Sequence, residues 1–214
     1  LAASGSDSRT AVDDGQAFTN IVPPSMMEKY HFDIPWITDW TTVTTTAERI
    51  VTLDGADGFS DFVENSVFDK HLQIVYNGAT ATCEGSVEGV TVDINGANVV
   101  INSFVKQVEY ELTGSSEAGS FKLYGSDKAK LIRNGVTLKT SSGAAINVHN
   151  KKRLFVVVAD GTVNELTDNA TYNTPEDEDE KGCIFSEGQI CFSGKGVLKV
   201  MGLKKHAIAS DQYI

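Results

Sequence analysis

Two octets near the C-terminus constrain this chain more than any other feature. CIFSEGQI (183–190) and AIASDQYI (207–214) agree at Ile184/Ile208, Ser186/Ser210, Glu187/Asp211 and Ile190/Ile214, always at the same offset. The rhythm extends upstream, where SFKLYGSDKAKL (120–131) and AINVHNKKRLFV (145–156) begin at nearly that offset. The step from Ala145 to Cys183 is longer, but the polar stretch from Asn169 to Gly182 accounts for the excess. Starts near residues 120, 145, 183 and 207 therefore share one period. A period of about 24–25 residues fits one coil of a parallel β-helix, with three short strands and three turns. Each coil would stack on the last at about 4.8 Å, so like positions lie over like. Ile184/Ile208 and Ile190/Ile214 are then expected to form interior ladders, because a single coil cannot bury its inner face alone.

The local vocabulary agrees. LQIVYNG, GVTVDING, NVVINS, VEYELTG, AKLIRNG, LFVVVADG, QICFSGKG and VLKVMG read as short strands, many closed by Asn-Gly, Asp-Gly or Ser-Gly turns. Helical signals are scarce; the clearest is a short turn in GADGFSDFVENSVFDK, where Phe59, Phe62, Val63 and Val67 fall at helical spacings. Before residue 75 the rhythm is missing. Residues 21–75 carry both tryptophans and three of the four prolines and read as an N-terminal cap over the solenoid end. Residues 1–20 read as a flexible tether, and 76–214 as the β-helix, truncated at its C-terminal side. An open last strand edge there is expected to pair with another molecule, as in self-association.

The formal net charge of −11, with 18 basic residues in no stripe, argues against nucleic acid as a partner. No apolar run reaches the roughly 18 residues of a membrane span. The three cysteines lack Cys-x-x-Cys spacing. Cys183 stands where the matching octet has Ala207, which reads as a small buried residue, with a Cys183–Cys191 disulfide as the alternative. Gly-x-Ser-x-Gly elbows, phosphate loops and dinucleotide fingerprints are absent from the sequence.

From about residue 72 onward, several uncommon phrases occur in order: GTVNELTD (161–168), KGCIFSEGQICFSGKGVLKV (181–200) and KHAIASD (205–211), preceded by VEYELTG and GSFKLYGSDKAKLIRNGVTL. On these the chain resembles a bacterial carbohydrate-binding family whose fold is similar to pectate lyases. The resemblance implies an all-β, right-handed parallel β-helix, secreted or attached to the cell surface. It also implies a polysaccharide partner of plant type, with acidic sugars and calcium as the finer expectation.

Candidate site residues carry two readings each. Glu176, Asp177, Glu178, Asp179 and Glu180 are consecutive carboxylates that suit either a solvated loop or, with backbone carbonyls, a calcium ion. Glu187 and Asp211 would stack one coil apart, as turn-capping residues, as a pair sharing a cation, or at a carboxylate spacing known from retaining glycosidases. Tyr172, with Lys204, Lys205 and His206 on neighbouring loops, is placed to meet a glycan. Tyr30, Phe32, Trp36 and Trp40 offer flat faces for sugar or packing for the cap. His31, His71 and His149 lack zinc spacing and read as structural or surface residues. Arg133 and Arg153 are the arginines a lyase-like base would draw on, but nothing around them marks a base. The reading is a non-catalytic binding protein, with a polysaccharide lyase or hydrolase and an adhesin or spacer as alternatives.

Overall fold

A computed structural model describes residues 3–4, 7–8 and 60–214 of the chain. The chain divides into two compact units, Leu1–Asn65 and Ser66–Ile214. In the first, β1 (Ala3–Ser4) and β2 (Asp7–Ser8) pair antiparallel, and a 3-10 turn spans Val63–Asn65. Most of the expected tether and of the cap, with Tyr30, His31, Phe32, Trp36, Trp40 and Phe59, lies outside the described residues. Among the described residues of the expected amphipathic turn, only Val63–Asn65 are helical, in 3-10 form, and Val67 is 61% exposed.

The second unit is built from strands alone. They are β3 (Lys70–Asn77), β4 (Thr80–Glu84), β5 (Val90–Asn95), β6 (Asn98–Ser103), β7 (Val108–Ser116), β8 (Ser120–Gly125) and β9 (Ala129–Lys139). There follow β10 (Ile146–His149), β11 (Leu154–Val158), β12 (Val163–Thr167), β13 (Gly182–Ser186), β14 (Ile190–Gly194), β15 (Val197–Met201) and β16 (His206–Ser210). They form two mixed sheets. One has six strands in the order β16-β13-β10-β8-β6-β5; the other has eight, in the order β14-β11-β9-β7-β3-β4 with β12 joined to β9 and β15. Within this unit only the β3/β4 and β5/β6 pairs are antiparallel; the other pairings between its described strands are parallel.

Parallel neighbours that are distant in sequence are what the repeat required. In the six-stranded sheet Val99, Phe121, Ile146, Ile184 and Ile208 stand in one register, each beside the next. The first four are at most 1% exposed, and Ile208 packs half-buried against them. Alternation decides which side chains enter: in β8 Phe121 and Leu123 are buried while Lys122 and Tyr124 face outward. β9 serves two neighbours, Ala129–Arg133 pairing with β11 and Thr137–Lys139 with β12. Exposed Asn134 and Gly135 mark the corner between these halves. In β7 the equivalent corner is a bulge at Gly114, at φ 85°, where a Cβ would collide with the Tyr76 carbonyl oxygen. Only glycine fits there.

The Ile190/Ile214 ladder forms in backbone alone. The Ile190 N–H donates to the Tyr213 carbonyl at 3.1 Å, yet the Ile214 side chain is 64% exposed. Ile190 instead packs over Leu154. Cys183 and Cys191 are not joined by a disulfide, and burial pushes the Cys183 thiol up to about 12, which makes it a packing residue.

One core side chain breaks the pattern. Arg133 points inward from β9, is wholly buried, and its guanidinium makes no hydrogen bond within the protein. Burial pulls its pKa down to about 10, so it remains a cation at neutral pH. Replacing it with methionine, of similar length, is expected to raise stability by about 1–4 kcal/mol, read from urea denaturation. In the same assay Ile184→Ala is expected to cost about 2–5 kcal/mol, whereas Ile214→Ala stays within about 0.5 kcal/mol.

Candidate functional site

The polar insertion between β12 and β13 folds back over the outward face of the six-stranded sheet. Its root is stitched to the turn before β10. The Gly143 N–H donates to the Thr171 carbonyl at 2.9 Å, and the Asn169 side-chain amide donates to the Thr140 carbonyl at 3.0 Å. Its far end is fixed by Glu180, which accepts the Ala144 N–H at 2.7 Å and the Thr174 hydroxyl at 2.8 Å. Gly143, at φ 70°, is needed here, because a Cβ would stand 2.5 Å from the Glu180 carboxylate.

Between these anchors Glu178 reaches down to the sheet. It accepts a hydrogen bond from Lys122 Nζ at 2.8 Å and a short one from the Tyr124 hydroxyl, and lies 3.5 Å from His149 Nε2. His149 Nδ1 lies 3.3 Å from Glu187. The imidazole stacks on Tyr124, with centroids 5.3 Å apart, and meets the edge of Phe185. Register explains the cluster: Tyr124 stands beside His149, and Lys122, Asn147 and Phe185 form one outward row. Because the insertion covers this row, Asn147 is 2% exposed and Phe185 is fully buried, although both point away from the core. Under the flap, a partly enclosed cavity of about 240 Å³ reaches from Asn98 and Ser120 to Asn147 and Glu180.

Burial alone would raise the Glu178 carboxyl, but its bonds to Lys122 and Tyr124 outweigh it and hold the pKa below the usual carboxylate range. Tyr124 is pushed up by burial and by Glu178. A carboxylate whose pKa is depressed in the folded state adds stability that is complete above its unfolded pKa and disappears as pH falls through the folded value. The stability difference between wild type and Glu178→Gln, about 1–3 kcal/mol at pH 7, is therefore expected to close below about pH 4. Urea denaturation at stepped pH reads it.

A second polar place lies beside β16. Lys181, Lys204, Lys205 and His206 line an open cleft of about 810 Å³ with Ile208 and Ser210. Lys205 also donates a short bond to the Glu180 carbonyl and sits 4.7 Å over the Tyr172 ring. The Tyr172 hydroxyl donates to Asp168 at 2.5 Å, and burial followed by that carboxylate pushes the phenol strongly upward. Four of the expected glycan residues, Tyr172, Lys204, Lys205 and His206, are thus joined, and Asp211 borders them by accepting from Lys181 at 2.5 Å. Glu187 is turned to His149 instead, so Glu187 and Asp211 each have a separate partner.

The acidic run alternates in direction. Glu178 and Glu180 face inward, Asp179 lies 3.1 Å from Lys181, and Glu176 and Asp177 are exposed. Among the described residues no three His, Cys, Asp or Glu side chains converge as a metal-holding group. Arg153 donates to Gln189 at 3.0 Å, and half-exposed His71 lies 3.0 Å from Glu109 and 3.4 Å from Glu111. Sequence reasoning missed the Lys122, Tyr124, Asn147 and Phe185 row. The signal was available: the outward positions of SFKLYG lie one period before those of AINVHN.

Comparison with known proteins places these observations. A family described as carbohydrate-binding domain-containing protein matches residues 95–214. A protein of that description from Acetivibrio thermocellus is 26% identical over 139 residues, 63% of this chain and 46% of the relative. The chain thus spans about half the length of that relative. A solved structure, the polysaccharide lyase-like protein from C. thermocellum as its gadolinium derivative, superposes with a TM-score of 0.56 at 25% identity. That superposition covers 65% of this chain and 56% of the other.

Proposed function

Because the chain belongs to the family of carbohydrate-binding domain-containing proteins, we propose that it binds plant-type polysaccharide without cleaving it, at a bacterial cell surface or outside the cell. The observation that carries this reading is the extent of the family match, residues 95–214, which takes in β6 to β16 and both polar places. The parallel registers support the finer fold reading, a right-handed parallel β-helix whose windings visit the six-stranded sheet once and the eight-stranded sheet twice.

The open cleft beside β16 suits an extended polymer. Lys204 and Lys205 bring positive charge to it on a protein of net charge −11 and favour acidic sugars. Calcium, through the exposed Glu176 and Asp177, is the proposed second contact to such a polymer. The non-catalytic reading is favoured over a lyase because Arg133 is wholly buried and Arg153 is bonded to Gln189.

Titration with polygalacturonate, cellulose and xylan, with and without calcium, is expected to show saturable binding to at least one. Binding to none by a folded protein would overturn the proposal in favour of a spacer. Unsaturated uronate products absorbing in the ultraviolet would establish a lyase instead. Lys204→Ala with His206→Ala is expected to weaken polymer binding about 5- to 150-fold, since each of the two lost hydrogen bonds is worth roughly 0.5–1.5 kcal/mol.

A further inference from the structure

The cavity under the flap contains a polar group with no structural use. Asn147 sits at the centre of β10, between Ile146 and Val148, which enter the core. Its own side chain points the other way, is 2% exposed, and makes no hydrogen bond within the protein at either Oδ1 or Nδ2. A buried amide left without partners costs about 1–3 kcal/mol at each unsatisfied group. Leucine or valine would fill the same row at no such cost. The amide instead lines the partly enclosed cavity of about 240 Å³.

We infer that this cavity is a binding subsite for one neutral sugar ring, taken from the end of a glycan chain; the inference rests on the carbohydrate-binding reading and deepens it. An amide offers an acceptor and donors side by side, the complement of two adjacent hydroxyls on a pyranose. Around it stand more hydroxyl-matching groups. Ser120, whose hydroxyl donates to Asn98 at 2.8 Å, keeps free acceptor capacity, and exposed Asn173 stands at the mouth. The charged groups are already bonded: Lys122 pairs with Glu178, and Glu180 accepts from Ala144 and Thr174. With Lys122 already paired and a carboxylate in the lining, the cavity favours an uncharged ring over a uronate.

Size sets the length of the ligand. At about 240 Å³, against about 30 Å³ per water in the liquid, the cavity has the room of about eight waters, which suits one sugar ring and not two. Flap residues Asn173, Pro175 and Glu180 line one side and the sheet the other, so a chain enters end-on rather than lying across. The cleft beside β16 would then hold the polymer's length while this subsite selects its terminus.

Amide NMR of the whole chain, titrated with glucose, galactose, xylose, mannose and galacturonate, tests this. At least one neutral sugar is expected to saturate at about millimolar concentration, as a single ring's contacts allow, shifting the Asn147 side-chain amide. Galacturonate is expected to bind at least tenfold more weakly. Asn147→Leu is expected to abolish the response while raising the melting temperature, and Asn173→Trp to block it at the mouth with the sheet untouched. Lys204→Ala with His206→Ala leaves the sugar response in place, so failure of the polymer cleft and failure of this subsite are read apart. No saturation with any sugar, as for a cavity holding water alone, would overturn the inference. So would an unchanged response in folded Asn147→Leu or a preference for galacturonate.

Discussion

Everything in the second unit depends on side chains of distant segments standing directly beside one another in parallel register. Val99, Phe121, Ile146, Ile184 and Ile208 are far apart in sequence, yet they form one row. No turn propensity or local pairing could hold such a row, because every contact in it is long-range. It is held by apolar burial on one side of each strand and by backbone hydrogen bonds to the strands above and below. A slip by a single position in any strand would turn its core face to the outside. The same register therefore decides which residues meet on the outer surface.

That outer surface is where the molecule departs from a plain stack. Elsewhere the outward rows are ordinary, with pairs such as Glu109–Lys130 and Glu165–Lys199 spanning neighbouring strands. Over β8, β10 and β13 the insertion covers the row, so an asparagine and a phenylalanine become buried, and a histidine and a tyrosine half-buried, without joining the core. Glu178 makes this covering possible because it brings its own partners, Lys122 and Tyr124. An uncompensated carboxylate could not have been placed there.

The repeat made the strands and their stacking legible, down to the pairing of Ile184 with Ile208, because aliphatic periodicity and Gly-terminated turns are properties of short stretches. Three things were not legible. Glu187 and Asp211 occupy equivalent positions in the octets but take different partners, since His149 reaches one and Lys181 the other. The acidic run looked like a uniform charged loop, whereas its direction alternates and two of its five carboxylates are structural. Arg133 reads in the sequence as an arginine a lyase-like base would draw on, yet it follows Ala129 and Leu131 on the inner face of β9. In each case the deciding fact is what lies one rung away, which a linear reading cannot supply.

The long step between β10 and β13 has an implication for how such a protein can vary. The chain leaves the stack after β12 and returns at β13 with Ile184 over Ile146, as though the stretch from Asn169 to Gly182 were not there. The rung spacing is indifferent to what happens between corners, so the insertion can be lengthened, shortened or exchanged with little consequence for the core. A library of grafted flaps on this one frame would sample new outer surfaces, provided each flap keeps carboxylates in the places of Glu178 and Glu180 and a cover over Phe185.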